Sequence, residues 1–340
     1  MLRLRLTKPQ PVDMILLDGG KESIMNAHLT ELTIEVTQKC PNACSFCSSL
    51  ASPISKQFLN ASTVFRIGKE AVNLGLRNVC LSGGEPLCHP EIVSIISGLH
   101  AIGLGISFYT TGLTLQHDRI AAPFKDWRVF KDTLTKVVFN IQSTDANVHD
   151  RLVGRAGALH LTHESLLCAL RTGIEVEVHI VPNLANLPTL KTTVNELASW
   201  GVKRVSFLRM VYQGYARQHL DELYLDKATR QHLSKILLDL SQKPPTGLDL
   251  RFGIPFSGDV QAVKHCTAAC QKLIVRYDGK VLPCEAFKDA DDSVFVLGDI
   301  ATDSLEQMLD RGANNPGLRC LRQKTTSAEP CPAQLLWSSI

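Results

Sequence analysis

From residue 31 the chain alternates short β-branched runs with longer stretches of helical period. Strand-type runs fall at Leu32–Thr37, Asn78–Ser82, Gly105–Tyr109, Lys136–Ile141, Glu175–Val181 and Arg204–Arg209. Their starts lie from 27 residues apart (Asn78 to Gly105) to 46 (Leu32 to Asn78), which leaves room for one crossover helix each. Apolar residues at helical spacing mark those crossovers: Ala61–Leu74 opens behind a capping Asn60, Pro90–Leu99 carries Ile92, Val93, Ile96 and Leu99, and Leu187–Trp200 carries Leu190, Val194 and Leu197. Six successive βα units predict an α/β fold, a parallel sheet curved into a barrel or partial barrel. A further amphipathic helix around Lys227–Leu240, with Asp226 as its cap, ends in the breaker Lys243-Pro244-Pro245-Thr246-Gly247. The expected division is a leader (1–30), a core (31–215), a helical linker (216–255) and a small C-terminal domain (256–340).

At 340 residues and 44% hydrophobic, the chain can bury a large core. A net charge of +3 lacks the strong basic excess of a dedicated nucleic-acid binder. No apolar run reaches the ~18–20 residues of a membrane span. Met1 to Lys8 alternates basic and apolar residues without the hydrophobic segment of a signal peptide, so a cytoplasmic location is expected. In that compartment the eleven cysteines point to metal or redox chemistry rather than disulfides. They are also bunched: three lie within Cys40–Cys47 and five between Cys266 and Cys331, leaving Cys80, Cys88 and Cys168 alone.

Directly after the first strand comes Cys40-Pro41-Asn42-Ala43-Cys44-Ser45-Phe46-Cys47. Three thiolates at this Cys-x3-Cys-x2-Cys spacing can hold three irons of a cubane [4Fe–4S] cluster and leave the fourth open for chemistry. Zinc is the main alternative, and it would want a fourth ligand close by. The spacing resembles the defining motif of the radical S-adenosylmethionine (SAM) enzymes, whose barrel is a partial (β/α)6 TIM-like one. The resemblance implies that the open iron binds SAM, that Phe46 lies near its adenine, and that reductive cleavage yields a 5′-deoxyadenosyl radical. Ser82-Gly83-Gly84-Glu85-Pro86 matches the family's GGEP segment. It implies close backbone approach at Gly83 and Gly84 and a carboxylate, Glu85, for the SAM ammonium.

Asn140-Ile141-Gln142-Ser143-Thr144-Asp145, followed by His149-Asp150-Arg151-Leu152-Val153-Gly154-Arg155, resembles a stretch of the peptide-modifying members. There the position of Ser143 contacts the SAM ribose, with Gln142 beside it. Arg209 is the candidate for the SAM carboxylate. All these segments follow strands, so in a barrel they converge on the C-terminal face. Cys88, next to GGEP, is a candidate hydrogen donor to a substrate radical. Cys80 and Cys168 read as small core residues.

The C-terminal cysteines frame a β-hairpin with Asp278-Gly279 at its turn, which returns Cys284 towards Cys266 and Cys270. With Gly298-Asp299-Ile300 and Ser304-Leu305-Glu306-Gln307-Met308, this resembles the SPASM extension or its shorter relative, twitch. The resemblance implies one auxiliary [4Fe–4S] cluster, with ligands drawn from Cys266, Cys270, Cys284, Cys320 and Cys331. Gln334 stands where a further Cys-x2-Cys would close. A structural zinc ribbon is the alternative.

The resemblance therefore implies hydrogen abstraction from a peptide or protein side chain that is then cross-linked, epimerised or oxidised. The electron donor would be a flavodoxin or ferredoxin. The 30-residue leader is too short for the N-terminal peptide-binding domain many such enzymes carry. Open alternatives are a small-molecule substrate and a metal-binding or electron-transfer protein. The small molecule would be GTP, as in molybdenum-cofactor synthesis, or a sugar or aminocyclitol. The chain's end at Trp337-Ser338-Ser339-Ile340 counts against GTP, because that family ends in Gly-Gly.

Overall fold

The computed structural model describes residues 28–116, 120–253, 266–289, 292–324, 331 and 333. Most of the leader, Gln334 and the residues from Trp337 onward lie outside them. Twelve strands are described: β1 (Glu31–Thr37), β2 (Asn78–Gly83), β3 (Gly105–Thr110), β4 (Leu113–Gln116), β5 (Ile120–Pro123), β6 (Lys136–Asn140), β7 (Glu175–Ile180), β8 (Arg204–Phe207), β9 (Asp249–Phe252), β10 (Lys272–Val275), β11 (Lys280–Leu282) and β12 (Gly298–Asp299). Ten of them form one sheet in the order β12-β11-β10-β1-β2-β3-β6-β7-β8-β9, and β4 and β5 make a separate hairpin. From β10 through β1 to β9 every pairing is parallel. The six expected strands form its centre, and β9, after the linker helix, extends it by pairing with β8.

The crossovers are helices: α1 (Ala61–Asn73), α2 (Ile92–Ala101), α3 (Ala146–Val153), α4 (Ala158–Leu170), α5 (Leu190–Ser199), the short α6 (Leu220–Leu223) and α7 (Lys227–Gln242). Asn60 caps α1 by accepting from the Thr63 N–H, and Asp226 caps α7 by accepting from that of Thr229. Alternation along the strands divides the sheet's faces. Leu32, Ile34, Val79, Leu81, Ile106, Phe108, Val137, Phe139, Val176 and Val178 are buried on the helix side. The opposite face carries Thr33, Glu35, Ser82, Tyr109, Asn140, Glu177 and His179, so the lumen is polar.

The C-terminal part adds α8 (Asp292–Phe295), α9 (Leu305–Asn314) and α10 (Pro316–Gln323). Its hairpin forms as expected: β10 and β11 are antiparallel, and Gly279 sits at φ +87 in the turn. The hairpin is no separate sheet, because β10 pairs directly with β1. Ser304 and Gln307 form a capping box on α9.

Candidate functional site

The cysteine loop leaves β1 at the C-terminal edge of the sheet and is held there by backbone bonds from several elements. Gly84 N donates to Thr37 O at 2.7 Å and Glu85 N to Lys39 O at 2.7 Å. Ala43 N and Ser45 N donate to Val153 O and Leu152 O at the end of α3, at 3.0 and 2.9 Å. Arg155 Nε reaches Pro41 O at 2.7 Å, and Tyr215 N reaches Cys47 O at 3.0 Å. Glycine makes these approaches possible: a Cβ would fall 2.4 Å from Lys39 O at Gly84, 2.4 Å from Ala43 O at Gly154 and 2.5 Å from Cys47 O at Gly214.

Cys40 and Cys44 are buried and Cys47 is half-buried. Burial first, then repulsion from neighbouring cysteines, raises the Cys40 and Cys44 thiols well above their usual range. Cys40 Sγ also accepts the Asn42 N–H, which favours its thiolate, and Asn42 Oδ1 is buried without a partner. Among the described residues no three His, Cys, Asp or Glu side chains are grouped as ligands of one metal ion. Three soft donors within electrostatic reach of one another, whose buried thiolates would need a cationic partner, fit a cluster of several irons.

Beside the loop opens a cleft lined by Phe46, Ser82, Gly83, Gly84, Tyr109, Thr110, Thr111, Asn140 and His179 among others. Phe46, Gly83 and Gly84 thus share one cleft wall. Glu85 does not line the cleft. It is fully buried, and its carboxylate accepts from Thr110 Oγ1 at 2.8 Å, from Thr111 N and Oγ1 at 2.6 Å each, and from Leu87 N at 3.0 Å. Burial pushes its pKa up to about 7 against those hydrogen bonds. In this structure the carboxylate ties the GGEP turn to the end of β3.

Gln142 and Ser143 are likewise fully buried. Gln142 Oε1 accepts from Val181 N at 2.9 Å, and Ser143 Oγ lies 2.9 Å from Thr189 Oγ1. Asn140, two residues earlier, lines the cleft instead. Cys88 closes the short helix after GGEP, half-buried and outside the cleft lining. Cys80 is half-buried on β2, its thiol pushed up to about 12 by burial, and Cys168 packs partly buried on α4. Sequence reasoning missed Tyr109, Asn140 and His179; their only signal is a polar residue alternating with apolar ones near a strand's end.

In the C-terminal domain Cys266 lies within electrostatic reach of Cys331 and Cys270, and Cys284 within reach of Cys331. Cys320 is exposed on α10. Arg209, just past β8, donates to Cys331 Sγ at 2.9 Å and so bridges the core to this group. Lys288 Nζ contacts Glu35 Oε1 at 2.6 Å and Ser49 Oγ at 2.8 Å, and Gln38 Nε2 donates to the Tyr277 hydroxyl at 2.7 Å.

A parallel partial barrel thus carries Cys40, Cys44 and Cys47 on the loop after its first strand, with a second set of cysteines beside it, an arrangement compatible with an iron–sulfur enzyme. The radical SAM superfamily matches residues 34–197, and an iron–sulfur cluster-binding domain of the SPASM type matches residues 266–333. The chain belongs to the radical SAM superfamily and ends in a SPASM domain. Its cofactors are a [4Fe–4S] cluster, SAM and auxiliary iron–sulfur chemistry. It is 26% identical over 255 residues to a PqqA peptide cyclase of Ruegeria pomeroyi, covering 74% of this chain and 66% of the relative. A PqqA peptide cyclase of Methylorubrum extorquens aligns over 334 residues at 25% identity, 95% of this chain and 79% of that one. This chain thus spans just under two thirds of the Ruegeria relative. The fold is similar to Streptococcus suis SuiB bound to its precursor peptide SuiA, with a TM-score of 0.72, 16% identity and coverage of 91% and 73%. It is also similar to anSMEcpe with bound AdoMet, with a TM-score of 0.62, 13% identity and coverage of 88% of both chains.

Proposed function

We propose that this chain is a peptide-modifying radical SAM enzyme, working in the cytoplasm with a flavodoxin- or ferredoxin-type electron donor. The observation that carries the reading is the shared sheet. Cys40 follows β1 and Cys284 follows β11, and β10 joins the two by pairing with both strands. One rigid frame thus presents two thiol groups to one barrel. The substrate class is supported by relatives named PqqA peptide cyclases and by the likeness to SuiB with a bound precursor peptide. Among the described residues no helix is long and apolar enough to cross a membrane.

Cys40, Cys44 and Cys47 would hold the SAM-binding cluster, and Cys266, Cys270, Cys284 and Cys331 the auxiliary one, with Cys320 outside the set. When bound, the cluster and SAM supply a 5′-deoxyadenosyl radical able to take a hydrogen atom from an unactivated carbon. The chain's own part is placement. Gly84, Gly154 and Gly214 let backbone close around the cysteine loop, and Phe46 offers a ring beside the cleft. Gly83 and Gly84 let the turn after β2 lie against the backbone of Thr37 and Lys39, while Tyr109 and Asn140 line the cleft.

After anaerobic reconstitution the wild-type chain should hold about eight irons, and a variant with Cys40, Cys44 and Cys47 all changed to Ala about four. The wild type should form 5′-deoxyadenosine and change the mass of a short peptide encoded beside its gene, while the triple variant should do neither. Absence of 5′-deoxyadenosine from the fully loaded wild type would overturn the reading.

A further inference from the structure

On the lumen side of the sheet lies a hydrogen-bonded glutamate–histidine pair that the cofactor motifs do not use. Glu177 and His179 alternate on β7 and both face the polar side of the sheet. His179 Nε2 lies 2.9 Å from Glu177 Oε1. The same carboxylate receives Lys136 Nζ from β6 at 2.8 Å and the Ser206 hydroxyl from β8. Tyr109 from β3 stands edge-on to the imidazole, with ring centroids 4.9 Å apart. His179 is only 7% exposed and lines the cleft with Tyr109, Ser82 and Asn140. Its Nδ1 is buried and has no hydrogen-bond partner.

A carboxylate can only accept, so its bond to Nε2 fixes the proton there and leaves the Nδ1 lone pair unused. An unmet acceptor in a buried site is destabilising. A ligand that brings a donor to the cleft relieves this. We infer that His179 is the proton acceptor of the substrate site, its Nδ1 taking the proton of an N–H or O–H group on the substrate while Nε2–H stays on Glu177. The inference rests on the peptide-modifying reading and narrows its substrate to a side chain or backbone group that gives up such a proton. The step is redox-neutral. The N–H or O–H bond breaks, its electron pair stays on the substrate heteroatom, and the resulting imidazolium is countered by Glu177.

The surroundings support this protonation state. Burial pushes Glu177 up, but bonds from His179, Lys136 and Ser206 outweigh it and hold the carboxylate well below its usual range. Burial lowers His179 below 6.5 against the pull of Glu177, so the ring is neutral at pH 7. The other ionisable groups facing the pair are Lys136 on β6, Tyr109 on β3, and Arg204 on β8, which is itself paired with Glu175 and Asp249. Cys80 and Glu285 lie within electrostatic reach of Tyr109.

The test uses the anaerobically reconstituted full chain with nitrogen-15-labelled histidine, with His179→Gln to assign the resonance. At pH 7.5 His179 should be neutral with the proton on Nε2, should titrate below 6.5, and should titrate lower still in Glu177→Gln. In His179→Gln the amount of modified peptide per 5′-deoxyadenosine should fall about 100-fold. A proton on Nδ1, or a cationic ring at pH 7.5, would overturn the inference. So would an unchanged ratio in the variant while the wild type modifies the peptide. A wild type that makes 5′-deoxyadenosine but modifies no peptide defeats the peptide reading instead, and the nitrogen spectrum alone then decides on His179.

Discussion

His149 shows how a motif residue can act on stability rather than on chemistry. It is 1% exposed, and its Nδ1 accepts the Gln142 N–H at 3.1 Å, a bond that requires an unprotonated ring nitrogen. Burial lowers its pKa to about 4, only partly opposed by Asp150. A histidine with a depressed folded-state pKa contributes stability that is complete above its unfolded pKa, ~6.5, and is lost as pH falls towards the folded value. Between pH 8 and pH 5.5 the loss should be about 1 kcal/mol. His149→Asn keeps an acceptor near the Nδ1 position and cannot charge, so its melting temperature should fall less over the same range. Equal slopes in thermal melts of the two chains would sink this assignment. Such roles are not legible from residue type. Motif position names Glu85 and Ser143, but only packing shows that their side chains turn to Thr110, Thr111 and Thr189. His179 went unread because its orphaned nitrogen exists only in three dimensions.

At the scale of elements, local signals were readable and cross-chain ones were not. Asn60, Asp226 and the Asp278-Gly279 turn were visible because each acts on residues two to four positions away. The edge strand β9, Asp-Leu-Arg-Phe, is short and half charged and sits inside what reads as a linker, so its pairing with β8 left no mark in composition. The segment His149–Arg155 was legible as a motif, but not as the clamp that grips the cysteine loop. The glycines make that clamp testable. Gly154→Ala and Gly214→Ala would each drive a Cβ to within 2.5 Å of a loop carbonyl, at φ values of +66 and +58. Gly173→Ala has the same backbone problem, φ +82, with nothing within 4 Å. All three should lose roughly 1 kcal/mol to backbone strain. Only the first two should also lose about half their iron after reconstitution, since they displace Cys44 and Cys47. Equal iron in all three variants would mean that the loop tolerates the shift.

Across the whole molecule, the question is what fixes the SPASM domain against the barrel. Strand pairing between β10 and β1 sets the register, with Lys272 Nζ bridging Glu31 and Glu285 at 3.2 and 2.9 Å. The second tie is Lys288, which enters beneath the cysteine loop to meet Oε1 of Glu35, a carboxylate with no exposure whose other oxygen has no hydrogen-bond partner. A buried ion pair need not add stability compared with apolar packing, but breaking one side strands the other charge at a cost of about 3–5 kcal/mol. Lys288→Met should therefore destabilise the chain by about 3 kcal/mol, and adding Glu35→Gln should recover a large part of that loss. If the double variant melts no higher than Lys288→Met alone, the pair is not what joins the domains. If it does recover, the distance between the two thiol groups is set by an electrostatic pin as well as by the sheet.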